Sequence, residues 1–231
     1  MTMTKQHEHM INHLTQTAVW RGEFNLRRGD ITPTDFNYIC LEDFVMDRGE
    51  KPPASEPLTE EQYDYLMRVA GRTGTTFRPK QCFHNSQMLV LSDFEGRMEY
   101  YEGIAYTGVL PVHHAWVLLD GKLVDLTRSL REGSFQEFLD GEDPQEDLKD
   151  RVLGVVPDGW YYYGSPFQKE GIRQYIYDNE ETHSVLDNWK AGYPAYKLER
   201  INPVSDEVLE QIETTQRAFE SAKQAMEVKH G

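Results

Sequence analysis

The chain has 231 residues, 39% hydrophobic and 12% aromatic, with a formal net charge of −15. That composition supports a packed core of one domain with room for an appended arm, and it excludes a disordered chain. The acidic balance argues against nucleic acid held through phosphate contacts; it leaves a basic protein partner or plain solubility.

Two cysteines, Cys40 and Cys82, make no disulfide framework. The opening MTMTKQHEHMINHL has no apolar run of signal-peptide length, and no later stretch reaches about 18 consecutive apolar residues. A cytoplasmic protein away from membranes is expected, and no residue pattern demands a cofactor.

Residues 5 to 18 have the pattern of a polar helix in which His9 and His13 share a solvated face. Thr32 before Pro33, with Asp35 following, signals a helix start. Phe36, Ile39, Cys40, Asp43 and Phe44 then fall at helical spacing, which makes Cys40 a core residue. EKPPASEP, at 50–57, is a loop. LTEEQYDYLMRVAGRTG begins with a capping box, Thr59 to Gln62, and ends at Gly71. Residues 81–92 form a short, mostly buried helix. MEYYEGIAYTG has the aromatic and β-branched content of a strand. VHHAWVLLDGKLVDLT is two apolar runs around Asp120-Gly121, a strong hairpin signal. An acidic loop follows. GWYYYGSPF is another strand, with a turn at Ser165-Pro166. Helical patterns occupy 167–178 and 181–190. A last amphipathic helix, capped by Ser205, carries Val208, Leu209, Ile212, Phe219, Ala222 and Met226 on one stripe. The expected domain plan is an N-terminal helical region (1–75), a core (76–167) and a C-terminal helical region (168–231), combined in one α+β fold.

Cys82 opens the 81–92 helix just after Arg78-Pro79-Lys80. A helix N-terminus favours a thiolate, because unpaired backbone N–H groups point outward there. The same groups suit an oxyanion. The hairpin supplies the partners. With a two-residue turn, Leu119 pairs with Lys122, Trp116 with Asp125 and His114 with Thr127. Alternation then puts His114, Trp116, Asp125 and Thr127 on one face and His113 on the other. His114 and Asp125 are diagonal neighbours within side-chain reach. The order is that of a nucleophile, a base and a group that orients the base.

These residues resemble a known family. Cys82, then His114-Ala115-Trp116 on one strand, then Gly121, Val124, Asp125 and Thr127 on the next, are similar to the transglutaminase-like branch of the papain-like cysteine enzymes. YYEG before the hairpin and YYYGSPF after it look like segments of uncharacterised bacterial and phage proteins with that core. The likeness spans roughly 78–127, extending toward 167. It implies a helix bearing cysteine packed on an antiparallel sheet. It also implies Cys82 as nucleophile, His114 as base and Asp125 as orienting group, acting on a protein, peptide or small amide. Gln81, Asn85 and Trp116 are candidate oxyanion or substrate contacts. The chain departs from the family in CFHN after the nucleophile position, in the absence of a proline between Asp125 and Thr127, and in a short gap from His114 to Asp125.

Two rivals stand beside this expectation. Cys82, His84, His113, His114 and Asp125 are suitable zinc ligands by type, but Cys-x-His is not a recurrent zinc spacing and adjacent strand histidines point apart. The third reading is an acidic binding or inhibitor protein that keeps the fold without turnover.

Overall fold

A computed structural model of the chain describes residues 5–27, 38, 40–108, 110–130 and 148–186. The chain divides into two compact units, one of Gly49–Val185 and the other of Met1–Arg48 with Leu186–Gly231. The described elements are α1 (Lys5–Arg27), α2 (Leu41–Arg48), α3 (Glu60–Arg72), α4 (Cys82–Ser92), β1 (Met98–Tyr106), β2 (Pro111–Leu119), β3 (Lys122–Ser129), a 3₁₀ turn at Leu148–Asp150, β4 (Arg151–Gly154), β5 (Tyr161–Phe167) and α5 (Lys169–Asn179). The fold is α+β. Among the described residues, no helix is long and apolar enough to cross a membrane.

In the unit of Met1–Arg48 with Leu186–Gly231, α1 continues well past residue 18. Cys40 precedes α2, is 1% exposed, and its thiol lies 3.8 Å from Ala18 O. The helix start at Thr32–Asp35, Phe36, Ile39, and the amphipathic helix from Ser205 to Met226 lie outside the described residues.

The unit of Gly49–Val185 holds an antiparallel sheet of order β4-β3-β2-β1-β5. Its centre is the hairpin. Leu119 pairs with Lys122 across Asp120 (φ 48°) and Gly121 (φ 81°), a turn with two left-handed residues that matches strand twist. One face buries Tyr101, Ala105, Trp116, Leu118, Leu123, Val152 and Tyr162 as a single cluster. Close approach there depends on Gly164: a β-carbon on it would come within 2.5 Å of the Trp116 ring. The glycine therefore lets an indole fill the sheet's centre. Helix α4 packs against β1, β2 and β3. α3 starts with the expected box, Gln62 N donating to Thr59 Oγ1 and Thr59 N to Gln62 Oε1.

Three expectations differ from the structure. Ser165 and Pro166 do not turn; they continue β5, paired with Glu102 and Tyr101. Proline is tolerated because β5 is an edge strand, where a missing N–H breaks no second ladder. β4 was not foreseen at all. No helix runs through 181–186, which follow the left-handed Glu180 (φ 57°) as bends and extended chain; 187–190 lie outside the described residues.

Candidate active site

The path into α4 is shaped by Asn85. Its Nδ2 donates to Arg78 O (2.8 Å) and to Thr127 Oγ1 (2.9 Å), and its Oδ1 accepts from Arg78 N (3.4 Å). This side chain folds the preceding loop onto the helix's first turn and fastens that turn to β3. Lys80 takes a left-handed conformation (φ 63°) and Gln81 is the N-cap, with no side-chain capping bond. Cys82 is thereby held at the helix start, 7% exposed.

The adjacent histidines of β2 point to opposite sides, as strand alternation requires. His114 is buried; its Nε2 lies 2.7 Å from Asp125 Oδ2. Its electrostatic neighbours include the Cys82 thiol of α4, and its ring lies 6.2 Å from that of Tyr162. His113 faces Glu102, with Nε2 2.8 Å from Oε1, and its ring meets that of Phe83 edge-on at 5.0 Å. The first two residues of α4 thus each act on one of two successive histidines, Cys82 electrostatically on His114 and Phe83 by ring contact with His113.

Asp125 does not reach His114 through the expected ladder. β2–β3 pairing ends at Val117–Val124, so Trp116–Asp125 and His114–Thr127 are not paired residues. Instead Asp125 Oδ1 accepts from Thr127 N (2.9 Å) and Arg128 N (3.3 Å), and the β3–β4 register shifts between Asp125 and Ser129. The carboxylate makes its own local turn, which bulges the strand and aims Oδ2 at the imidazole. Tyr162 of β5 donates a further hydrogen bond to Oδ2 at 2.9 Å.

The electrostatics follow from these contacts. Burial opposes the charged form of His114, but Asp125 and then Cys82 outweigh it and raise the imidazole to about 9. Burial likewise opposes ionised Asp125, yet the charge and hydrogen bond of His114 hold it below the usual carboxylate range. Both directions describe one ion pair. His84 is shifted the other way, lowered by burial, with hydroxyls at both ring nitrogens: Thr75 at 3.1 Å and Thr182 at 2.9 Å.

The supporting candidates separate. Gln81 is exposed and lines a cavity of about 370 Å³ with Lys80, Phe83, His84, Glu181, Thr182 and His183. Asn85 is not a surface or substrate contact but the buried clamp just described. Trp116 is a core residue, 0% exposed and stacked on Tyr101 at 6.1 Å, so it meets no solvent from which a substrate could approach. Among the described residues, no group of three or more histidine, cysteine or acidic side chains is arranged to hold a metal ion. His113 points away from His114, and His84 is engaged by threonines.

Sequence reasoning missed Tyr162, the clamp role of Asn85, and the buried Glu102–His113 pair. The run Tyr161-Tyr162-Tyr163 showed that the middle tyrosine faces away from its neighbours, but not which side is the site. Glu102, an acid inside an aromatic strand, was the available signal for the last.

No family model matches this chain, and neither does any curated protein or solved structure.

Proposed function

We propose that the protein is a cysteine-dependent acyl-transfer enzyme of transglutaminase-like, papain-like type, working through a thioester. The observation that carries this reading is the buried His114–Asp125 hydrogen bond (2.7 Å), with Cys82 buried at the start of the helix that packs on β2 and acting electrostatically on the same imidazole. Cys82 Sγ attacks an amide or ester carbonyl and forms a C–S bond, its proton already held by His114 as the imidazolium. Collapse breaks the C–N or C–O bond, and His114 returns the proton to the leaving group. Water or an amine then attacks the thioester, His114 accepts that nucleophile's proton, and the thiol is regenerated. Asp125 stabilises the charged imidazole and fixes its orientation. The Cys82 N–H and the Gln81 side chain are the oxyanion donors. The acyl donor enters by the cavity that Gln81 and Phe83 line on either side of Cys82 in sequence.

One observation favours a second reading, a binding protein that keeps the fold without turnover: Cys82 is only 7% exposed. A single experiment separates the two. With p-nitrophenyl acetate as an activated acyl donor and hydroxylamine as acceptor, the enzyme reading expects acetylhydroxamate and an acetyl group mapped to Cys82. Cys82→Ala should give no adduct and no hydroxamate above the enzyme-free rate. Undiminished hydroxamate from Cys82→Ala, or no adduct on the wild-type chain, ends the nucleophile assignment.

A further inference from the structure

Asp125 serves four donors. Thr127 N and Arg128 N occupy Oδ1, while His114 Nε2 (2.7 Å) and Tyr162 Oη (2.9 Å) share Oδ2. Tyr162 is 1% exposed, and its ring packs edge-on against Trp116 at 5.3 Å. A phenylalanine ring would fill that place. The hydroxyl is thus a polar group carried into an apolar cluster, where it costs stability unless bonded, and its bond goes to the oxygen that holds His114.

The groups that bear charge or titrate around His114 are few. Cys82 comes from α4, Asp125 and Arg128 from β3, and Tyr162 from β5. Arg151 of β4 donates to Thr127 O at 3.3 Å. On β1 the residue paired with His114 is Gly103, which brings no side chain, and Glu102 beside it is turned to His113.

We propose that Tyr162 is a positioning residue for the Asp125–His114 pair: it holds Oδ2 toward the imidazole and, by sharing that oxygen's charge, sets how firmly the carboxylate retains the imidazole proton. The proposal deepens the acyl-transfer reading and rests on it only for the consequence in turnover. With Tyr162 in place, Oδ2 is shared and His114 gives up its proton more readily than a lone aspartate would allow. Proton return to a leaving group needs that compromise.

The test is the titration of ring-¹³C-labelled histidine followed by NMR in the full chain. In Tyr162→Phe the His114 midpoint should rise by about half a pH unit or more, since Oδ2 then answers to one side-chain donor. Tyr161→Phe, which removes a neighbouring hydroxyl not bonded to Asp125, should leave it in place, and Asp125→Asn should lower it. If Tyr162→Phe fails to fold, 3-fluorotyrosine introduced at 162 alone keeps the shape with a stronger donor, and the midpoint should fall. A midpoint unmoved or lowered in a folded Tyr162→Phe, or unmoved by the fluorinated residue, overturns the proposal. Absence of any hydroxamate would end the acyl-transfer reading while leaving these titrations intact.

Discussion

His113 and His114 stand side by side on β2, and each meets a buried carboxylate at nearly the same distance, 2.8 Å to Glu102 and 2.7 Å to Asp125. Their third partners differ. Beside His114 is a thiol at the start of a helix. Beside His113 is Ser184, whose hydroxyl itself donates to Glu102. Glu102 also accepts from Tyr100 Oη (2.7 Å) and Val185 N (3.1 Å), so this carboxylate gathers β1, β2 and the 184–185 segment into one knot. A histidine–carboxylate pair is therefore not a reaction site by itself. Under the acyl-transfer proposal, the neighbouring thiol is what distinguishes His114 from His113.

That comparison breaks most directly at the two carboxylates. Asp125→Asn should lower the rate of hydroxamate formation by about 10²-fold or more with the fold kept, because the charged imidazole loses its partner. Glu102→Gln should leave the rate nearly unchanged and instead destabilise the chain, by about 3 kcal/mol in urea unfolding, since it breaks a buried network. The reverse pattern would make His113 the working histidine.

The pH dependence of stability sharpens the His114 side. Its folded value lies above the ordinary histidine value, so the stability it contributes is complete below about pH 6.5. That contribution is lost as pH climbs through about 9. The loss should be on the order of 3 kcal/mol across this window. His114→Gln should flatten this part of the curve. Asp125 behaves oppositely: its folded value is depressed, so its share is present above the ordinary carboxylate range and is lost on acidification. An equal slope in wild type and His114→Gln between pH 6.5 and 9 would mean that the pair carries no linkage.

Thiol chemistry gives a smaller contrast. Burial, with the charges of Glu42 and Asp43 adding to it, pushes the Cys40 thiol well above its ordinary value. Iodoacetamide at pH 6 should label Cys82 at least about tenfold faster than Cys40. Equal rates would remove the case for an activated thiol at the helix start.

The smallest effect is expected at the serine. Ser184→Ala removes one donor from a carboxylate that keeps three others, and should cost about 1 kcal/mol in thermal or urea unfolding with no change in Cys82 labelling. A large fall in labelling would tie the Glu102 knot to the site and dissolve the distinction between the two histidines.

Chemistry confined to neighbouring residues was legible in the amino-acid order. The box at Thr59–Gln62 and the Asp120-Gly121 turn depend on backbone angles and side chains two or three positions apart, and both are present as expected. Alternation along β2 told His114 from His113, because a strand's period leaves no choice. The α+β class followed from the same periodicities. What only the tertiary structure decided is which distant groups share an oxygen or a space. β4 escaped notice because a four-residue strand carries little pattern of its own and exists through pairing with β3. Pro166 looked like a turn because its place on an edge strand is a fact of sheet order. Asn85 gained its role from Thr127, 42 residues away, and Tyr162 from Asp125, 37 residues away. The bulge that aims Asp125 replaced a regular ladder that the hairpin alone implied. Local backbone preferences are written residue by residue, whereas a buried hydrogen bond between strands needs the whole sheet to bring its two ends together.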